Sequence, residues 1–185
     1  MTSEQLALAG RAFGALRAET PEAWQRLLDL DLAPLPFLRA SVSRMLEELP
    51  GPDGLSRTER QMLAALRRGA PTKPPPALFV AAQRQERAVF MGDWSFWGLL
   101  DGLCLAERPL VKGLDGAPFI GESGMDQAYF QSVLRLTPLG EEVVAGRADR
   151  AAHNTIDRWW GGTHLTKDAL WRFDAGAQRL IAPGG

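Results

Sequence analysis

The chain has 185 residues, and its 21 Lys and Arg nearly balance its 22 Asp and Glu, for a net charge of −1. An apolar content of 45% and a charged content of 23% exclude a disordered chain, a collagen-like chain and a strongly basic nucleic-acid coat. The single cysteine, Cys104, excludes a disulfide framework and a cysteine-based zinc finger, and no apolar run approaches the roughly 20 residues of a membrane span.

In chain order, residues 3–18 predict an amphipathic helix, with Leu6, Ala9, Phe13 and Leu16 as its inner stripe. Thr20-Pro21-Glu22 starts a second helix that carries Trp24, Leu27 and Leu28. After Pro34 and Pro36, the stripe Leu38, Val42, Met45 and Leu49 marks a third. Pro50-Gly51-Pro52 is a strong break and the expected end of a helical arm over 1–52.

Ser56-Arg57-Thr58-Glu59 fits a capping box, opening a helix that runs to Gly69 as a left-handed C-cap. Ala77–Arg87 reads as the next helix. Asp93 is the expected N-cap of a Trp-rich one that Pro109 stops. A short apolar run at Leu110 and Val111 follows, then a loop from Gly113 to Gln127 and a strand at about Phe130–Leu136. Thr137-Pro138 opens a last short helix, closed by Gly146. Three helices, a two-stranded β element and a final helix outline a winged-helix-like core over 53–146. Beyond it, 147–185 is a Trp- and Gly-rich segment expected to dock on that core. Residues 163–166 and 170–173 are its candidate hairpin, turning at Lys167-Asp168. The fold class expected is therefore mainly α with a small antiparallel β component.

Four strings, GLSRTERQMLAAL, FMGDWSFWGLL, LRLTPLGEEVVAG and DRWWGGTHL with a following WRFD, resemble the C-terminal half of an uncharacterised bacterial domain-of-unknown-function family. The resemblance covers residues 3 to about 174. DRWWGGTHL is its most specific part, whereas LTPLG recurs in many winged-helix proteins. In that family a separate N-terminal domain usually precedes this region, and here the chain begins at Met1 without it. The resemblance implies a fold and supplies no activity.

A winged helix invites a DNA-binding reading, because its third helix enters the major groove while cations neutralise phosphates. Here no Lys or Arg lies between Arg87 and Arg108, and Asp93, Asp101 and Glu107 would repel phosphate. Net charges of −2 over 1–52, +2 over 53–110 and −1 over 111–185 leave no basic face of note. Arg57, Arg60, Arg67 and Arg68 read as solvated helix-end charges rather than a phosphate patch. Trp94 and Trp97 could stack a ring, but core or interface packing is the simpler reading. Cys104 reads as a small core residue and His153 carries no signal.

Arg158-Trp159-Trp160-Gly161-Gly162-Thr163-His164 is the most unusual string. Its glycines permit positive φ and close backbone approach. Asp157, Arg158, Trp160, Gly161, Gly162 and His164 are therefore the candidate ligand-binding residues. Asp157, His164 and Asp174 could meet as a metal or acid–base cluster, but their spacing matches no metal signature. A structural turn feeding a hairpin, with Asp157 paired to an arginine, is the competing reading. No P-loop, GxGxxG, GxSxG or HExxH is present, so no catalytic residue, metal or cofactor is assigned. The function expected is a non-enzymatic module for protein or self association, with a protein partner or a homodimer, in the cytoplasm and with no membrane role. The alternatives are a winged-helix DNA-binding regulator and an enzyme fragment with its site at the Gly161-Gly162 turn.

Overall fold

The computed structural model describes residues 1–68, 73–114, 118–121, 124–125 and 127–184. The chain is mainly helical with small two-stranded antiparallel sheets, as the composition and periodicity indicate. It divides into two compact units, one of Met1–Ser56 with Thr155–Gly185 and one of Arg57–Asn154.

The first unit starts with α1 (Ser3–Leu16). A reciprocal capping box fixes its N-terminus: Gln5 N–H donates to Thr2 Oγ1 at 3.2 Å, and Thr2 N–H to Gln5 Oε1 at 2.9 Å. The buried face of α1 is Leu8 and Ala15, not the expected stripe, and Leu6 and Phe13 are 57% and 59% exposed. The helix carries apolar side chains on both faces. α2 (Glu22–Arg26) and α3 (Leu38–Leu46) complete the helical layer. Leu27, Leu32, Val42, Leu46 and Leu49 are buried there, and the Trp24 indole N–H donates to the Val42 carbonyl at 3.0 Å.

Two hairpins from the C-terminal segment belong to the same unit. β5 (Arg158–Trp160) pairs with β6 (Thr163–Leu165), and β7 (Arg172–Asp174) pairs with β8 (Arg179–Ile181). The hairpin expected across Lys167-Asp168 is therefore replaced by one across Gly161-Gly162. The reason is turn chemistry. A two-residue hairpin loop needs positive φ, and Gly161 takes φ 57° at the first central position. The chain passes from the first unit to the second between Ser56 and Arg57, four residues beyond the break at Pro50-Gly51-Pro52. Pro50 and Gly51 are buried, the Pro50 carbonyl accepts Phe173 N–H at 2.9 Å, and the Arg172 guanidinium donates to the Gly51 carbonyl at 3.0 Å. Thr155–Gly185 thus forms one compact unit with Met1–Ser56.

The second unit contains α4 (Arg57–Arg68), α5 (Pro75–Gln83) and α6 (Asp93–Cys104). They are followed by β1 (Val111–Lys112), β2 (Ile120–Gly121), β3 (Gly124–Met125), β4 (Arg135–Leu136) and α7 (Pro138–Val144). β1 pairs with β4, and β2 with β3. The expected stop at Gly69 and part of the loop 113–127 lie outside the described residues. Most of the strand expected at 130–136 is not one. Gln127–Gln131 is a 3-10 turn, because Tyr129 and Phe130 are drawn into an aromatic cluster with Trp97 and Phe119. The start of α7 follows the sequence reading. Thr137 Oγ1 accepts Gly140 N–H at 3.0 Å, and Pro138 opens the helix. Gly140 lets α7 seat on the chain at Leu110, whose carbonyl oxygen would lie 2.1 Å from an added Cβ.

Candidate functional site

The DRWWGGTHL segment is a short hairpin, so its side chains alternate between two faces. One face is structural. The Arg158 guanidinium donates to the Glu48 carbonyl at 2.8 Å, and the Trp160 indole N–H donates to the Met45 carbonyl at 3.0 Å. Trp160 is buried and meets Trp24 edge to face, with ring centroids 6.1 Å apart. Thr163 is buried, with its hydroxyl donating to the Ala18 carbonyl at 3.2 Å. The glycines seat the turn on the end of α1. A Cβ at Gly161 would lie 2.4 Å from the Leu16 carbonyl oxygen, and one at Gly162 2.3 Å from that of Arg17. Four of the six expected ligand-binding residues, Arg158, Trp160, Gly161 and Gly162, thus hold the fold together.

The other face is free of such duties. Trp159 and His164 are cross-strand partners, and their rings stack with centroids 4.5 Å apart and planes 7° from parallel. Asp157 Oδ1 lies 2.7 Å from His164 Nε2. Asp157 pairs with a histidine, then, rather than with an arginine. The side chains of Asp157 and His164 are 71% and 41% exposed, and Trp159 is 67% exposed. Asp174 does not join them: its Oδ1 accepts Gly176 and Ala177 N–H, both at 2.9 Å, in the turn after β7. Among the described residues no group of three metal-ligating side chains forms. Trp159 went unassigned in sequence, although strand alternation around a Gly-Gly turn places it opposite His164.

The remaining candidates are structural. Trp97 is buried among Phe79, Phe119, Tyr129 and Phe130, while Trp94 is 57% exposed and lies edge-on to Phe119 at 4.9 Å. Gly92, not Asp93, is the N-cap of α6; Asp93 Oδ1 accepts the N–H of Trp94 at 2.8 Å. Arg57 pairs with Glu86 at 3.1 Å, Arg67 with Glu141 at 3.4 Å, and Arg68 donates to Gln85 at 2.7 Å, so these charges meet local partners. His153 Nδ1 lies 3.0 Å from the Arg108 guanidinium.

Two buried polar groupings escaped the sequence reading. Arg150 and Glu59 form a buried ion pair, and Arg150 also donates to the Gly102 carbonyl at 3.2 Å. Asp101 lies beside the aromatic cluster, where its Oδ2 accepts Phe119 N–H at 2.8 Å. Asp101 Oδ1 and the Tyr129 hydroxyl are buried close to one another, and the hydroxyl acts with the Phe119 N–H to favour the Asp101 carboxylate. Burial raises the Asp101 carboxyl above its ordinary value, against the opposing Phe119 N–H. Burial, reinforced by the Asp101 charge, pushes the Cys104 thiol up to about 12 and the Tyr129 hydroxyl higher still. Such a thiol is inert, which suits a core residue.

No family model, no curated protein and no solved structure matches this chain.

Proposed function

We propose that the chain is a non-enzymatic association module that pairs with a second copy of itself through the outer face of α1. The observation that carries this reading is the exposure of Leu6 and Phe13 on one side of a helix whose opposite side is already packed. A helix that is apolar on both faces belongs in a core or at an interface. Gly10 lies between the two, and nothing stands within 4 Å of where its Cβ would be. An antiparallel pair about Gly10 would set each Leu6 beside the other copy's Phe13. The glycine would let the backbones approach closely.

The reading of Arg57–Asn154 as winged-helix-like rests on its order of elements, α4, α5, α6, β1, β4 and α7. Its third helix argues for a packing role over a groove-reading one. α6 buries Phe96, Trp97, Leu100, Leu103 and Cys104 and carries no Lys or Arg. The resemblance to an uncharacterised family brings no activity with it. No described helix is long and apolar enough to cross a membrane.

Light scattering over micromolar concentrations tests the proposal. The expected result is a dimer that Phe13→Glu converts to a folded monomer. A wild type that stays monomeric at about 100 μM would overturn it.

A further inference from the structure

We draw no further inference here: the strongest candidate, the exposed side-chain cluster of Asp157, Trp159 and His164 on the outward face of the β5–β6 hairpin, holds its carboxylate against the His164 imidazole on the covered side of the Trp159 indole, and nothing in the structure shows what covers the open side.

Discussion

The Gly162 N–H donates to the Leu16 carbonyl at 2.7 Å, so the hairpin turn rests directly on the last turn of α1. Both turn glycines are then under constraint. Gly161 sits at φ 57°, and added Cβ atoms at either position would collide with backbone carbonyls. Gly161→Ala and Gly162→Ala should each cost about 1–3 kcal/mol, the usual scale of overpacking. Thermal melts check this, and unchanged midpoints for both variants would show that the turn is not seated there.

The two adjacent tryptophans should behave oppositely. Trp160 is buried, hydrogen-bonded to the Met45 carbonyl and packed on Trp24. Trp160→Ala should cost about 3–5 kcal/mol. Trp159, two-thirds exposed, should cost no more than about 0.5 kcal/mol on truncation to Ala. Urea denaturation of both variants measures the contrast, and similar losses would contradict it.

The Glu59–Arg150 pair is 2% and 9% exposed at the side chains. Removing one partner leaves the other charge buried. Glu59→Ala or Arg150→Ala should therefore destabilise by about 3–5 kcal/mol. Replacing both by apolar residues of similar volume should cost clearly less than the two single losses combined. A double-mutant cycle tests this, and strict additivity would show that the two charges do not depend on each other.

Asp101 makes a pH prediction. Burial holds its carboxyl above its ordinary value in the folded protein. Between the unfolded and folded values, the folded state binds the extra proton. The stability this supplies is full below the unfolded value, near pH 4, and is lost as pH rises through the folded one. Asp101→Asn keeps an acceptor for Phe119 N–H and removes the charge. The variant should lose this fall in stability with rising pH and be at least as stable as wild type at pH 7. Denaturant titrations from pH 4 to 8 decide it, and a large loss at pH 7 would show that the ionised form is needed.

Duplex DNA should bind no more tightly than the non-specific range of about 10⁻⁴–10⁻⁶ M at physiological salt. α6 carries Asp93 and Asp101 and no cation. Anisotropy with a random duplex measures this, and nanomolar binding with a steep salt dependence would favour a regulator.

The sequence by itself determined the helices and several of their ends. A capping residue acts within one turn of chain, so Thr137-Pro138 and Gly146 could be read locally, and Gly146 indeed has φ 72°. The Gly-Gly pair reads locally as a left-handed stop after a helical segment; one of the two glycines does take positive φ, but in a hairpin turn after a strand. Tertiary structure decided which face each apolar stripe turns inward. α1 offers two such faces, and helical period alone cannot rank Leu6 and Phe13 against Leu8 and Ala15. It also decided the hairpin register, since moving the turn from Lys167-Asp168 to Gly161-Gly162 changes every strand partner. Asp157 met His164 rather than an arginine or Asp174 for the same reason: strands that fix their partner fix which side chains lie opposite. The pairing of Glu59 with Arg150, 91 residues apart in the chain, lay beyond any periodic signal. Propensity and capping depend on neighbours in sequence, whereas burial and charge pairing depend on neighbours in space, and only the folded chain supplies those.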